Sequence, residues 1–492
     1  MNYLLRFFPE IIIKSREVRQ RYISVLRRNL RTQLQAVAAD IQVNGGWDSL
    51  NVEVPGTDAA VQERALQILT HTPGIDSIMQ VQASALLDLD DVARRACQLY
   101  APLIAGKSFA VRCKRVGKHT FNSIEVERVV GAALLKAAHN ARVDLTKPEI
   151  AVRVGIQRDQ LLLVEQTYKG LGGYPLGTQD GVLSLISGGF DSTVSSYQCI
   201  KRGLLTHYCF FRLGGTEHEI AVKEVALYLW MKYGSSHRVR FVTVPFEEVV
   251  EEIVSKVDNS QMGVIFKRLM MRAAGRVAEH LKVEALITGE SVAQVASQTL
   301  ANLAIIDSAT DKLILRPLIT VDKREIIDIA REIGTEEFVK NVPEYCSVIS
   351  VRPTTRARMH RIEREEAQFD EAVLQAAIEN AQVQTIDRVM EGLRRQDSVH
   401  ELQEASADTV VIDIRHPDEE ERHTLKLNDP AIEVLKIPFY QLRSRFAQLP
   451  ADKSYALYCD KGMMSRLHAS HLQEAGYANV QVYRPQLRDA TV

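Results

Sequence analysis

The run Ser187-Gly188-Gly189-Phe190-Asp191-Ser192 lies between a short apolar stretch, residues 181–187, and a helical pattern that begins near Ser192. Two glycines allow a tight turn at the carboxyl end of a strand. The N–H groups of that turn, with the N-terminus of the next helix, can hold an anion. The serine hydroxyls add donors, and Asp191 fits such a loop if a metal ion bridges its carboxylate to a phosphate. The run therefore predicts a phosphate-binding loop.

Strand and helix patterns alternate on the C-terminal side of this loop. We expect strands at residues 182–187, 206–211, 239–243 and 285–289, with helices between and after them. This alternation predicts a doubly wound parallel sheet over residues 178–350. Ligands of such sheets bind beyond the carboxyl ends of the strands. The loop follows the first strand and should therefore lie at the ligand edge.

The size and composition of the chain bound its class. With 492 residues it is too long for one hydrophobic core, so three or more domains are expected. It is 46% apolar and 25% charged, as globular proteins are. The apolar N-terminus contains Arg6, Pro9 and Glu10, which argues against a signal peptide or a membrane span. We expect a cytoplasmic protein with no membrane segment. The six cysteines form no C-x-x-C pair, which argues against a structural zinc.

The net charge of −1 conceals two basic stretches. Residues 1–35 carry eight cations against two acids, and residues 107–119 carry five cations and no acid. Either stretch alone is as well explained by a solvated face. Together, ahead of a phosphate loop, they favour a polyanionic partner such as nucleic acid. The cations are Arg6, Lys14, Arg16, Arg19, Arg21, Arg27, Arg28 and Arg31, then Lys107, Arg112, Lys114, Arg115 and Lys118.

Several residues are candidates for a nucleotide site around the loop. Backbone groups of Leu185 and Ile186, at the end of the strand, can reach an adenine. Lys267 is a candidate for the triphosphate, although a basic helix face is the commoner role of such a lysine. In the segment 287–299 a glycine ends a strand, where Gly289 allows close approach and Gln298 can bind the nucleotide. Lys323 is a further cation near this edge, and an exposed structural lysine is equally compatible with its position.

Cys459 follows an apolar strand at residues 455–458 and precedes the segment Asp460–Arg466 and a helix. A cysteine below a loop of N–H groups at a helix N-terminus is placed to stabilise a thiolate or a persulfide. Arg466 and Lys461 would add positive charge there. The alternative is an inert buried cysteine. Cys346, just after the nucleotide region, is unremarkable alone, and Cys199 and Cys209 look structural.

Four parts of the chain resemble known modules. The loop, with Ser187, Gly188, Gly189, Asp191 and Ser192, resembles the PP-loop of the ATP pyrophosphatases. The glycine-rich end at residues 170–177 resembles the exit of a THUMP domain, an RNA-binding module. The Thr288-Gly289-Glu290-Ser291 segment resembles that of 4-thiouridine synthetases. The Cys459 loop and the upstream Asp413-Ile414-Arg415 resemble a rhodanese domain.

The whole chain is similar to the long form of the bacterial tRNA 4-thiouridine synthetase family, also called thiamine biosynthesis sulfurtransferases. The resemblance implies a multidomain α/β protein with a ferredoxin-like α+β domain (1–60), a THUMP domain (61–165), a PP-loop ATP pyrophosphatase domain with a doubly wound parallel sheet (178–350), a helical linker (355–403) and a C-terminal rhodanese-like domain (404–492). Whether the protein forms a homodimer stays open.

The resemblance also implies a reaction. The enzyme would use ATP and Mg²⁺ to adenylate uridine at position 8 of tRNA, and a persulfide on Cys459 would supply sulfur to give 4-thiouridine. Cys346 would be the disulfide partner of Cys459, and Asp191 would contact the metal and the pyrophosphate. A cysteine desulfurase would load Cys459, which would also serve a thiamine-pathway sulfur-carrier protein. Two alternatives stay open: a sulfurtransferase for that carrier alone, and a non-catalytic RNA-binding protein with a regulatory rhodanese module.

Overall fold

The protein is described here from a computed structural model that covers residues 1–213, 216–340, 342, 353–389, 400–406, 408–415, 420–421, 424–425, 427, 429–459, 463–474 and 476–485. The chain forms two compact units. The first consists of Met1–Thr178 with Lys201–Gly203, and the second of Gln179–Ile200 with Leu204–Val492. In the residues covered, no helix has the length and apolar character that crossing a bilayer requires.

The first unit is built on one eight-stranded sheet. Strand Ile75–Ala85 pairs antiparallel with Gln160–Lys169 and so joins the strands of the N-terminal region to those that follow it. The spatial order is Gln42–Gly45, Leu50–Glu53, Asn2–Phe7, Ile75–Ala85, Gln160–Lys169, Ile150–Gln157, Ser108–Val116 and Arg142–Val143. The helices are Pro9–Ile12, Arg16–Gln35, Ala59–His71, Leu89–Ile104 and Ser123–Ala137.

Sequence periodicity explains these elements. Tyr3, Leu5 and Phe7 alternate along the first strand and point into one core, as a period of two requires. The helix Ser123–Ala137 begins with a capping box: the Asn122 side chain accepts from the backbone N–H of Glu125, whose carboxylate accepts from the N–H of Asn122.

The second unit contains the predicted doubly wound sheet. Its order is Leu313–Leu315, Ala285–Ile287, Gly181–Leu185, Leu205–Arg212, Arg240–Pro245 and Gln382–Thr385. The first five strands are parallel. The last, Gln382–Thr385, is antiparallel and comes from the stretch that we expected to be a helical linker. The α-helices are Phe190–Lys201, Thr216–Leu229, Glu247–Lys256, Met262–Leu281, Leu300–Asp307, Lys323–Glu332, Glu336–Val339, Met359–Glu366 and Glu371–Glu379.

The C-terminal part of the second unit has a five-stranded parallel sheet. Its order is Glu401–Leu402, Val480–Tyr483, Ser454–Tyr458, Thr409–Asp413 and Val434–Lys436, with helices Phe439–Phe446 and Met463–Glu474. One buried hydrophobic cluster contains residues of both sheets of this unit: Phe210 and Tyr228 from the first part, and Phe439, Leu457 and Cys459 from the second. The two sheets therefore share a core.

Candidate nucleotide and sulfur sites

The phosphate loop lies at the switch point of the six-stranded sheet. Strand Gly181–Leu185 is paired on one side with the next strand in the chain and on the other with Ala285–Ile287. At a switch point, the connections from two adjacent strands run to opposite sides of the sheet, and a crevice opens beyond the carboxyl ends of those strands. Helix Phe190–Lys201 begins there, so its first N–H groups face the crevice.

The loop is held by its own hydroxyl groups. Ser192 Oγ accepts from the backbone N–H of Ser187 at 3.1 Å and lies 3.1 Å from Ser187 Oγ. Thr193 Oγ1 donates to the carbonyl of Gly189 at 2.8 Å. Gly188 has φ +81°, a conformation that side-chain-bearing residues rarely adopt. These bonds fix the turn, and Gly188 is required by its backbone conformation.

A cavity of about 470 Å³ adjoins the loop. It is lined by most of the predicted nucleotide residues and by several that the sequence did not single out. The predicted ones are Leu185, Ile186, Ser187, Asp191, Ser192, Lys267, Gly289 and Gln298; the others include Phe210, Phe211, His218, Met270, Met271, Glu290 and Gln294. Gly188 and Gly189 shape the loop behind this lining. The aromatic and methionine side chains give one end of the cavity an apolar character that suits a nucleobase.

Gln298 places a buried acceptor atom at the cavity. Its side chain is buried at the cavity, and its Oε1 accepts no hydrogen bond within the described part of the chain. A buried acceptor left without a donor costs about 1–3 kcal/mol, which a bound donor would recover. The amino group of an adenine or a ribose hydroxyl is a donor of this kind.

Lys267 reaches the cavity from helix Met262–Leu281 and is held by a buried carboxylate. Its Nζ lies 2.7 Å from Glu290 Oε1, and the Arg316 guanidinium donates to Glu290 Oε2 at 2.8 Å. Burial raises the pKa of Glu290, but Lys267 and Arg316 outweigh it and lower that pKa to about 2. Arg316 is also paired with Asp307. Glu290 therefore stays ionised and holds the Lys267 ammonium group at the cavity.

Asp191 lies in the first turn of the helix after the loop, and both of its carboxylate oxygens are bound. Lys323 Nζ donates to Oδ1 at 2.8 Å, and Gln294 Nε2 donates to Oδ2 at 2.9 Å. Gly289 packs against the backbone of Asp191 so closely that a Cβ there would lie 2.5 Å from the Asp191 carbonyl carbon. The close approach predicted for Gly289 thus has a defined neighbour, and Lys323, whose role was open, faces Asp191.

His218 also lines the cavity, and the sequence did not single it out. Its Nε2 lies 3.2 Å from the carbonyl of Ser187, and its ring meets the Phe210 ring edge-on, with 5.1 Å between centroids. Burial lowers the pKa of His218. The neutral ring therefore contacts the loop at the carbonyl of Ser187. An isolated histidine in the sequence gives no signal of this contact.

Cys459 occupies the base of a second helix N-terminus. Its Sγ accepts from the backbone N–H of Ser465 at 3.3 Å and lies 3.4 Å from Ser465 Oγ. Both residues are buried. Ser465 is in the first turn of helix Met463–Glu474, so the positive end of the helix faces the sulfur. The Asp413–Arg415 pair lies buried nearby, with Arg415 over the ring of Tyr458 at 5.1 Å.

The remaining residues that concern the cysteine chemistry are two cations expected near Cys459 and three other cysteines. Arg466 pairs with Glu401, which offsets the positive charge that we expected it to place beside Cys459. Lys461 and Cys346 lie outside the described residues. Cys199 and Cys209 are buried, and burial raises the pKa of the Cys199 thiol to about 12 and that of Cys209 as well. These two thiols are therefore poor nucleophiles and pack as core residues.

Several cations of the N-terminal basic stretch serve the fold. Strand Gln42–Gly45 ends the eight-stranded sheet. Arg31 donates to the carbonyl of Val43 at 2.8 Å, and Arg27 to that of Gly45 at 3.4 Å. Arg19 donates to the carbonyl of Trp47 in the adjoining turn, and its guanidinium stacks on the Trp47 ring. These guanidinium groups cover the edge of the sheet. In the second stretch Lys114 and Lys118 are exposed.

Models of known families match four consecutive parts of the chain. A ThiI ferredoxin-like domain matches residues 2–79, a THUMP domain 87–164, the thiamine biosynthesis protein (ThiI) 177–370 and a rhodanese-like domain 396–485. A solved structure described as a 4-thiouridine synthetase–RNA complex with bound ATP is similar, with a TM-score of 0.69 and 25% identity over 78% of this chain and 99% of that one.

Curated relatives extend the similarity to the full chain. The tRNA sulfurtransferase of Azotobacter vinelandii is 53% identical over 485 residues, which cover 99% of this chain and 100% of the relative. That of Pseudomonas aeruginosa (strain UCBPP-PA14) is 52% identical with the same coverage. The four domain matches fall in the order that the sequence predicts. The chain belongs to the tRNA sulfurtransferase family, of the thiamine biosynthesis protein (ThiI) type.

Proposed function

We propose that this protein uses ATP to transfer sulfur from a persulfide on Cys459 to uridine at position 8 of tRNA, giving 4-thiouridine. The observation that carries the proposal is the cavity at the switch point, where Asp191, Lys267 and the unsatisfied Gln298 acceptor come together. The relatives named tRNA sulfurtransferase and the similar synthetase solved with RNA and ATP support it.

The nucleotide would lie across the cavity from the apolar end to the loop. Leu185, Ile186 and the neighbouring aromatic rings would cover the adenine, and Gln298 Oε1 would accept from its amino group. The phosphates would face the loop N–H groups and the start of helix Phe190–Lys201. Lys267, held by Glu290, would neutralise part of the phosphate charge.

Magnesium fits this site as a companion of the nucleotide. The described residues contain no group of three or more His, Cys, Asp or Glu side chains that could hold a metal ion without other ligands. Mg²⁺ usually takes one or two carboxylates and completes its shell with phosphates and water, so Asp191 is the residue that would contact it. A bound Mg²⁺ would neutralise phosphate charge during adenylation.

Adenylation activates the uracil for replacement of an oxygen. The O4 oxygen of the uracil attacks the α-phosphorus of ATP, the bond to pyrophosphate breaks, and O4 then carries AMP. Lys267 lines the cavity and Lys323 pairs with Asp191, which lines it too, so both lysines would stabilise the charge that develops on the phosphates. Asp191 orients Lys323, because their ion pair fixes the lysine beside the loop.

The sulfur atom would then come from Cys459. The terminal sulfur of its persulfide attacks C4 and displaces AMP, which leaves the cysteine linked to the base through a disulfide bond. The Cys346 thiolate attacks the Cys459 sulfur, releases the thiolated base and leaves a Cys346–Cys459 disulfide. A dithiol reductant must supply two electrons to restore the enzyme. The N–H of Ser465 stabilises the negative sulfur.

Three partners follow from this proposal. The basic surface of the first unit would bind tRNA, a cysteine desulfurase would load Cys459, and the same persulfide would serve the thiamine-pathway sulfur carrier. The carrier role is supported by the hydrogen bond from the N–H of Ser465 to Cys459 Sγ, which lies within the C-terminal domain and would hold a persulfide with no tRNA bound. A protein that served the carrier alone would make no 4-thiouridine.

The first experiment replaces Asp191 by Asn, with Asp328→Asn as the matched control on an exposed helix face. We expect Asp191→Asn to abolish ATP-dependent formation of 4-thiouridine in tRNA while tRNA affinity stays unchanged, and the control to keep full activity. Mass spectrometry of nucleosides from the treated tRNA gives the readout. Retained thiolation in Asp191→Asn would exclude its proposed role.

The second experiment tests the sulfur path. Cys459→Ser should accept no ³⁵S label from a cysteine desulfurase and form no 4-thiouridine, whereas Cys199→Ser should do both normally. Cys346→Ala should allow labelling of Cys459 but block repeated turnovers in the presence of a dithiol. Label on Cys459→Ser, or normal turnover by Cys346→Ala, would refute the role of the residue concerned.

A further inference from the structure

We propose that Gln294 is a positioning residue that sets the orientation of the Asp191 carboxylate, and that the left-handed backbone of Ala293 turns it there. The inference rests on the proposed function of Asp191. Gln294 lines the nucleotide cavity, and its Nε2 donates to Asp191 Oδ2 at 2.9 Å. It is therefore one of the two side chains that fix the carboxylate.

The backbone before Gln294 is in an unusual conformation. Ala293 has φ +63°, which costs a residue with a Cβ about 1–2 kcal/mol. The conformation is held by hydrogen bonds from the N–H of Ala293 to the carbonyl of Gln298 at 3.0 Å and from the N–H of Gln294 to that of Ser291 at 3.3 Å. Strain of this kind persists where the surrounding structure requires it, often at functional sites. Here it reverses the chain and directs Gln294 towards Asp191.

The two chain segments that carry the partners of Asp191 are joined by hydrogen bonds. The N–H of Val292 donates to the carbonyl of Ile319 at 3.0 Å, and Ser291 Oγ donates to that of Val321 at 3.0 Å, two residues before Lys323. The segment that carries Gln294 and the turn that carries Lys323 therefore form one scaffold. Gly289 anchors the start of this segment on the Asp191 backbone.

The two donors bind different oxygens of the Asp191 carboxylate. Lys323 occupies Oδ1 and Gln294 occupies Oδ2, so rotation of the carboxylate would break both bonds. A neutral amide fixes the orientation without adding charge, which leaves the charge balance of the site to the lysine. If Gln294 acts in this way, its loss should affect the rate of the chemical step more than the binding of ATP.

The test compares Gln294→Ala, Gln294→Glu and the control Val292→Ala, an exposed neighbour whose side chain does not line the cavity. We expect Gln294→Ala to lower kcat for 4-thiouridine formation by about tenfold to a hundredfold, the range for a hydrogen bond to a charged group. The KM for ATP and the Tm should stay near the native values. Val292→Ala should have native kinetics.

The isosteric variant separates positioning from a merely structural role. Gln294→Glu keeps the size of the side chain but puts a second carboxylate against Asp191, so we expect a larger loss of kcat than with Gln294→Ala. If Gln294 only supported the segment, the isosteric change would be the milder one and the alanine variant would lower the Tm. The proposal would be overturned if Gln294→Glu lowered kcat less than Gln294→Ala did. A native kcat for Gln294→Ala, or a change in the KM for ATP with no change in kcat, would overturn it too.

Asp191→Asn in the same assay distinguishes failure of this inference from failure of the proposed function. If Asp191→Asn abolishes thiolation and Gln294→Ala does not slow it, only the positioning role is wrong. If Asp191→Asn itself is active, the role of Asp191 is wrong, and so is the proposal for Gln294.

Discussion

Glu290 is a buried carboxylate whose charge depends on two cations. Only 3% of its surface is exposed, and it accepts from Lys267, Arg316 and the hydroxyl of Thr288. A buried charge with good partners is costly to break, because removing one partner leaves the others uncompensated. Glu290 therefore links the stability of the sheet edge to the position of Lys267, a lysine that lines the cavity.

Replacing Glu290 by Gln should remove about 3 kcal/mol of stability at pH 7, because the pKa of Glu290 lies well below its usual value of 4.5, at about 2. A depressed pKa stabilises the fold above pH 4.5, and this contribution is lost as the pH falls from 4.5 towards 2. The difference between native and variant in urea unfolding should therefore shrink over that window.

Asp307→Asn is the control for this measurement. Asp307 also pairs with Arg316 but is 42% exposed, so its removal should cost about 1 kcal/mol or less. We further expect Glu290→Gln to raise the KM for ATP, since Lys267 would lose its anchor. An equal loss of stability in the two variants, or no change in the KM for ATP, would contradict this account.

The sequence identified the residues of this site unevenly. The positions of Asp191 and Cys459 at helix starts could be predicted, because Asp191 follows a pair of glycines and Cys459 stands between an apolar strand and a helix. Gln294 and Glu290 lie in the segment 287–299, but the sequence assigns neither a role, since their partners Asp191 and Arg316 are distant in sequence. Their roles depend on side-chain distances that no local pattern encodes.

The arginines beside strand Gln42–Gly45 are bound differently from the exposed lysines of the second basic stretch. Arg31 donates to the carbonyl of Val43 through both Nε and Nη2. Lys114 lies on strand Ser108–Val116 with an exposed side chain, and Lys118 follows that strand and is exposed too. The sequence marks all of these residues alike as cations, so it cannot separate those that cover an edge from those available to RNA.

This difference predicts two distinct phenotypes. Arg31→Ala should lower the free energy of unfolding by about 1–3 kcal/mol, because a strand carbonyl loses its charged donor. The double variant Lys114→Ala/Lys118→Ala should keep the native free energy of unfolding, but tRNA affinity should fall and its dependence on salt should flatten by up to about two units of slope. Urea unfolding and tRNA binding at several salt concentrations provide both readouts. An unchanged salt slope in the lysine variant would place the RNA elsewhere.

Periodicity predicts four strands of the six-stranded sheet, but not Leu313–Leu315 or Gln382–Thr385. Asn122 and Glu125 have the spacing of a capping box, and a helix begins there in the structure. Strand Gln382–Thr385 lies in a polar, helix-rich stretch, and it is a strand because it pairs with Arg240–Pro245. Pairing partners that lie about 140 residues apart in the chain are decided by tertiary packing rather than by local preference.

The second unit joins its two sheets through one hydrophobic cluster. Ile186 of the nucleotide cavity and Cys459 of the sulfur site both belong to it, and between them the ring of Tyr228 meets that of Phe439, with centroids 6.4 Å apart. We expect the nucleotide and sulfur sheets to unfold together, because each covers apolar surface of the other.

Glu224 lies in this shared core and should make the unit sensitive to alkaline pH. Burial raises its pKa to about 8, and His468 Nε2 lies 3.4 Å from its Oε1. A raised carboxyl pKa means that the contribution of Glu224 to stability is fully present below pH 4.5 and is lost as the pH rises towards 8. Glu224→Gln, which cannot ionise, should therefore be the more stable protein at pH 9, by about 5 kcal/mol, and should match the native protein at pH 4.5.

Thermal unfolding at a series of pH values tests this directly. The surface variant Glu363→Gln, on the exposed face of helix Met359–Glu366, provides the control and should show no such trend. If the stability of the native protein does not fall relative to Glu224→Gln as the pH rises towards 8, burial does not raise the pKa of Glu224 in the way stated here.

The arginines that bind strand Gln42–Gly45 have one more consequence. A strand at the end of a sheet offers free carbonyl groups on which a strand of another chain can pair and begin an aggregate. Arg27 and Arg31 occupy such carbonyls and place two positive charges where that strand would have to lie. The same side chains that complete the fold thus keep this sheet from growing beyond its eight strands, so their loss should make the protein prone to self-association at high concentration.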